Sequence, residues 1–333
     1  PPLERSAVAR MIEHASRLAD DQRKLSANDR VLRDVLAEAG YLAGQAKSET
    51  VSGEHVERAI EQRKVRAGRL RQASLEQIGR GTVMISTEGR SRGQVNGLSV
   101  LQLGNFRFGR PARITATARP GRGQVVDIER EVKLGGPIHS KGVLILSRFI
   151  ASRYAPEAEL SLSASVVFEQ SYGGIEGDSA SLAEACALLS AIADAPLAQS
   201  LAMTGSINQH GQVQAVGGVS EKVEGFFDVC TQAGELDGHG VLIPAANVEH
   251  LMVGSKVREA VADGRFRIYA VEAVDEALAL LSGLPAGERD DAGAFDEGSF
   301  NRRVADRLGE FARVARKRQT RSESDEERRG DDS

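Results

Sequence analysis

Ser179 and Lys222 are of the residue types that can hydrolyse an amide, and both fall within one stretch, Gly173 to Phe227. After Ser179 the chain reads SLAEACALLSAIADA, in which Leu182, Ala185, Cys186, Leu189, Ile192 and Ala193 recur at helical spacing. The alanines favour helix and Pro196 ends it. Ser179 is therefore expected at a helix N-terminus, where free backbone N–H groups and the positive end of the helix dipole suit a developing oxyanion. Gly173, Gly174 and Gly177 loosen the entry loop. Ser and Asp are also ordinary N-cap residues, so the fragment fits plain capping as well. Tyr172 and Glu176 precede the serine. Asp178, its neighbour, is expected to cap and shape the loop rather than act as a third catalytic member, since a Ser–Lys pair needs no acid.

The partner lies beyond a hairpin. Leu201–Ser206 reads as a strand, His210-Gly211 as a turn and Gln212–Val216 as the return. Gly217-Gly218 breaks it, and Val219–Cys230 reads as a helix with Val219, Val223, Phe226, Phe227 and Cys230 on its apolar face. Lys222 sits in the first turn, where a cation opposes the dipole. Most helix lysines are simply solvated. To act as a base, this one must lose its proton near neutral pH. From an ordinary value of about 10.4 that needs a fall of about 3, worth about 4 kcal/mol. The dipole supplies about 0.3–1 kcal/mol of it, and burial must supply most of the rest. Thr204, on the intervening strand, is placed to hydrogen-bond and orient the amine.

EGDSAS followed by LAMTGSINQHGQVQAVGGVSEK resembles the proteolytic domain of the Lon proteases. The EGDSAS form is similar to the LonB-type and Lon-related branch, not to the bacterial LonA form with proline before the serine. By that resemblance Ser179 is the nucleophile, Lys222 the general base and Thr204 the threonine beside the dyad. Gly109 to Ile150 resembles the family's first strands, and GVLIPAANVEHL its passage after the lysine. The resemblance spans about residues 76–284. It implies an α+β proteolytic domain, hexameric rings with an enclosed chamber, and unfolded or misfolded protein as substrate.

Residues 1–72 read as three helices: Leu3–Ala19, Asp29–Tyr41 capped by Asn28, and Glu54 to about Leu70 opened by Ser52. Helices in this place resemble the small all-α lid of an AAA+ ATPase. A lid's nucleotide-sensing arginine would match Arg30 or Arg33, though an exposed salt-bridging arginine fits either position better. No GxxxxGK[ST] occurs, so this chain carries no phosphate loop of that kind. The glycine-rich 119–124 segment lacks the spacing and reads as a loop. The expected organisation is thus a lid-like domain (1–72), a proteolytic domain (76–284) and a charged, largely disordered tail (285–333). Within that tail Phe300, Val304, Leu308, Phe311 and Val314 match an amphipathic helix. No cofactor is expected in this chain. ATP and magnesium would act through an upstream ATPase domain, unless the protein belongs to a branch without working ATPase motifs. The Pro-Pro start fits a piece of something longer.

Between these landmarks Thr82–Ser86 is expected to pair with Gln94–Leu103. Strand candidates follow at Ile114–Thr117, Val125–Val132, Val143–Ser147 and Leu160–Phe168, with Val143–Leu146 equally readable as part of a helix from Gly142 to Tyr154. Val241–Ile243 and Ile268–Val271 read as strands, Val248–Met252 and Val274–Leu281 as helices. A substrate peptide is expected to bind by adding to one edge of this sheet.

Across its 333 residues the chain is 41% hydrophobic and 27% charged, with net charge −4, which is ordinary for a soluble protein and gives no global basic field for nucleic acid. Nothing reads as a signal peptide or membrane span, and a cytoplasmic location is expected. The 2 cysteines, Cys186 and Cys230, sit on apolar helix faces and are expected as buried free thiols. The 6 histidines show no HExxH and no paired spacing, so no metal is expected, and His139 in GGPIHSKG reads as a turn residue. Two rivals remain: a Lon-like domain used for binding or assembly, and a Ser–Lys amidase acting on small molecules.

Overall fold

The computed structural model describes residues 1–330 except 105, 122, 157 and 158. Its N-terminal part is helical: α1 (Arg5–Ala19), α2 (Asp29–Gln45), α3 (Gly53–Ala67) and α4 (Arg69–Gly79). Asn28 caps α2 by accepting from the Val31 N–H, and Ser52 with His55 closes a capping box on α3. The first three helices bury a small core of their own around Val35, Ala39, Val56 and Ile60. The fourth helix is absent from the sequence reading, which ends the third near Leu70 and starts strands soon after 77. Its residues are nowhere fully buried, so its apolar pattern is weak.

The strands are β1 (Arg90–Ser91), β2 (Gln94–Leu103), β3 (Phe106–Pro120), β4 (Gln124–Asp127), β5 (Leu162–Phe168), β6 (Leu197–Ala198), β7 (Leu201–Met203), β8 (Ser206–Ile207), β9 (Val213–Gln214), β10 (His239–Pro244) and β11 (Phe266–Val271). Seven of them form one mixed sheet in the order β11-β10-β7-β2-β3-β5-β4. β2 pairs antiparallel with β3, not with Thr82–Ser86, which forms no strand. β8 and β9 make a separate two-stranded hairpin. The glycine-rich 119–124 stretch joins β3 to β4, with residue 122 outside the described set.

The remaining helices are α5 (Ile128–Glu131), α6 (Pro137–Tyr154), α7 (Ser181–Ala193), α8 (Val219–Ala233), α9 (Ser255–Ala262), α10 (Val274–Ser282) and α11 (Phe300–Gly330). α6 takes the whole of Val143–Ser147, settling that ambiguity for helix. Val125–Val132 splits into β4 and α5.

α7 is the axis of the main core. Instead of one apolar stripe, it buries Ala183, Ala187 and Leu188 as well as the six positions of the stripe. A helix that is apolar all round belongs inside. One side faces the sheet, and α6, α10 and α11 pack against it as well. The cover comes partly from the segment read as a charged tail: Phe295, Phe300, Val304, Leu308 and Phe311 are all buried in this core. Those five apolar residues outweigh the charge of the surrounding sequence. A second cluster lies under α8, with Val223, Phe226 and Phe227 against Val241, Ile243 and Phe266. Both cysteines are buried and free. Among the described residues no helix is long and apolar enough to cross a membrane.

Candidate active site

Ser179 lies in the turn just ahead of α7, half-buried. Asp178 does not cap the helix with its side chain: no side-chain cap is present. Its carboxylate instead accepts from the Ser206 hydroxyl at 2.8 Å, tying the turn to β8. Its carbonyl accepts from the Ser181 N–H at 3.0 Å, and the Leu182 N–H donates to Gly205 at 3.1 Å. Two of the helix-end donors expected to be free are thus engaged. Gly177 has φ +91°, a conformation L side chains rarely adopt, so glycine is required there. Glu176 reaches back to α6, where its carboxylate accepts from the Ile138 N–H at 3.2 Å. An anion suits that helix N-terminus. A Cβ on Gly136 would collide with this carboxylate.

Lys222 comes from the first turn of α8 and is 3% exposed. Its Nζ lies 3.2 Å from Ser179 Oγ and 2.9 Å from Thr204 Oγ1. Thr204, fully buried on the segment leaving β7, donates in turn to the Ser179 carbonyl at 3.2 Å. The geometry thus brings Ser179, Lys222 and Thr204 together. Burial pulls the Lys222 ammonium down to about 8, from an ordinary 10.5; the Glu221 carboxylate opposes this, Arg107 adds to it and Asp178 opposes it.

Several residues that the sequence reading missed set the place of α8. Gly109 on β3 and Gly225 on α8 let strand and helix touch backbone to backbone. Arg17 of α1 pairs with Glu224 of α8 through both nitrogens, one bond at 2.8 Å, and approaches Glu221 at 3.6 Å. Arg107 links Asp20 at 2.9 Å to Glu221 at 3.6 Å. No local motif signals a salt-bridge network between segments so far apart in sequence. Arg30 and Arg33 are exposed on α2, where Arg33 pairs with Asp29 one turn away. His139 is not a turn residue but lies in the first turn of α6, 1% exposed.

Comparison with known proteins identifies both parts of the chain. Residues 2–66 match the archaeal LonB AAA+ ATPase lid domain, and residues 170–282 match the Lon protease (S16) C-terminal proteolytic domain. The chain is similar to a putative Lon protease homolog of Escherichia coli, 43% identical over 277 residues, covering 82% of this chain and 47% of that protein. A putative Lon protease homolog of Haemophilus influenzae is 38% identical over 83% of this chain and 46% of its own length. An archaeal Lon protease of Pyrococcus abyssi is 31% identical over 84% of this chain and 26% of its own. The chain thus spans about half the length, or less, of these relatives. With a LonB-type lid ahead of an S16 proteolytic domain, the chain belongs to the Lon protease family.

Proposed function

We propose that this chain is the peptidase part of a Lon-like protease, with Ser179 as nucleophile and Lys222 as general base. The observation that carries the reading is the 3.2 Å approach of a buried lysine amine to Ser179 Oγ. The Thr204 hydroxyl has one hydrogen and directs it to the Ser179 carbonyl. It therefore offers Lys222 only a lone pair. The neutral amine gives one N–H to Thr204 and keeps its own lone pair for the Ser179 proton. Ser179 Oγ attacks the scissile carbonyl as its proton passes to Lys222. Because the Ser181 and Leu182 N–H groups are engaged, the oxyanion donors are backbone N–H groups of the 177–180 turn. Lys222 then protonates the leaving amine and deprotonates the water that releases the acyl group from Ser179.

Unfolded protein chains are the proposed substrate, in a homo-hexamer located in the cytoplasm. ATP and magnesium would act through an ATPase domain of the longer protein, since this chain has no phosphate-loop motif. The relatives' Lon names and the lid match support that linkage. The test is digestion of casein by this chain, without ATP, beside Ser179→Ala. Cleavage lost in the variant is the expected result; equal cleavage by both contradicts the reading. If neither cuts, a serine-reactive probe that labels Ser179 separates a waiting protease from a binding domain.

A further inference from the structure

Four ionisable side chains that the proposed hydrolysis does not use converge in the interior. Asp127 ends β4, Glu129 lies in α5, His139 in the first turn of α6 and Glu184 in the first turn of α7. They are 4%, 4%, 1% and 1% exposed. His139 Nε2 lies 3.4 and 3.3 Å from the two oxygens of Asp127 and 3.8 Å from Glu184 Oε1. One ligand atom each from Asp127, Glu129 and His139 fall within 4.8 Å of one another. Phe168 holds the imidazole edge-on, ring centres 5.7 Å apart, and its N–H fixes one Glu129 oxygen at 2.8 Å.

The cluster is incomplete as it stands. Asp127 Oδ2, Glu129 Oε2 and Glu184 Oε1 are buried and accept no hydrogen bond from any described residue. The ion pairs the described residues give Asp127 and Glu184 are both with His139. Three buried carboxylates facing one imidazole are costly unless something further pairs with them. The distances say what that is. A charge-assisted hydrogen bond would be about 2.7–2.9 Å. Two ligands on one cation, with bonds of about 2.1 Å, stand roughly 3.4 Å apart, as His139 Nε2 and the Asp127 oxygens do.

We propose that Asp127, Glu129 and His139 form a binding site for one divalent transition-metal cation, held by two carboxylates and the His139 imidazole, with the Glu184 carboxylate beside the imidazole. The donor set suits zinc, manganese or ferrous ion better than calcium or magnesium, because of the imidazole. The role is structural. The cation fastens the first turn of α6 to α5 and to the end of β4, and Glu184 of α7, 3.8 Å from His139 Nε2, lies against that group. A search for paired histidines misses such a site, since it takes a single histidine and draws the rest from distant carboxylates.

The test is calorimetric titration of the untagged, EDTA-dialysed chain with zinc chloride and with manganese chloride, beside His139→Gln and Glu184→Gln. The expected result is one cation per chain for at least one metal, with affinity weakened roughly 10-fold or more in both variants. Should the variants fail to fold, thermal unfolding of the parent chain decides: saturating metal raises its midpoint by several degrees and EDTA reverses the rise. Failure of both metals to bind, binding unchanged in both variants, or no rise in the midpoint overturns the site. None of these readouts depends on peptidase activity.

Discussion

Gly109 of β3 and Gly225 of α8 meet without side chains between them: a Cβ on Gly225 would lie 2.3 Å from the Gly109 carbonyl oxygen, and a Cβ on Gly109 would lie 1.9 Å from that of Glu221. Helix and strand backbones are the hindrance, so neither can be relieved by a rotamer change. This contact sets how close the first turn of α8, and with it Lys222, comes to the sheet. Gly109→Ala or Gly225→Ala is expected to push α8 outward, costing about 1–3 kcal/mol of stability and most of the peptidase activity. Thermal unfolding and casein cleavage measured on the same samples check this. Full activity in either variant contradicts the positioning role.

Thr204, fully buried, holds the lysine amine at 2.9 Å. Thr204→Val keeps the shape and removes the hydroxyl. kcat is expected to fall roughly 10-fold or more with KM little changed, because the amine loses its orientation rather than its charge. Steady-state kinetics on a peptide substrate measure both constants, and an unaltered kcat removes Thr204 from the account.

Lys222 costs the fold stability. Its folded pKa is about 8 against 10.5 ordinarily, so below about pH 8 the amine is charged in both states and the folded chain bears the full cost of burying it. Between about 8 and 10.5 only the unfolded chain keeps the proton, and the cost fades as pH rises. Lys222→Met is therefore expected to raise stability by about 1–3 kcal/mol near pH 7, with the gain shrinking toward pH 10. Urea unfolding at both pH values tests the sign.

The ion pair between Arg17 and Glu224 joins the helical N-terminal part to the helix of the lysine. Arg17→Ala leaves a partly buried carboxylate without its main partner, at an expected cost of about 2–3 kcal/mol, less than for a fully buried pair. Hydrogen exchange should quicken in α1 and α8 together. Faster exchange confined to α1 would show that the two parts are not coupled through this pair.

What could be seen in the sequence was local. The Ser179 turn and the helix bearing Lys222 follow from apolar spacing, Pro196 and the paired glycines at 217–218, whereas the strand read over Leu201–Ser206 breaks after Met203 and leaves Thr204 between β7 and β8. The Asn28 and Ser52 caps are equally local. What could not be seen depends on segments far apart in sequence. Gly109 looks like any strand glycine until α8 lies on it. His139 looks like a loop residue until Asp127 and Glu184 surround it. The region after 285 is dominated by charge, yet the few apolar residues Phe295, Phe300, Val304, Leu308 and Phe311 suffice to seat it over α7. The helix read as having one apolar face has two because that segment covers the other.

In the proposed reaction Lys222 removes the proton from Ser179. The most direct measurement is the rate at which a fluorophosphonate labels Ser179 across pH, in this chain and in Lys222→Ala. The rate is expected to climb about tenfold per pH unit and level above about pH 8, as the lysine loses its proton. Lys222→Ala, with its circular dichroism unchanged, is expected to label far more slowly and without that climb. A flat profile in the parent chain, or equal labelling in the variant, would contradict it.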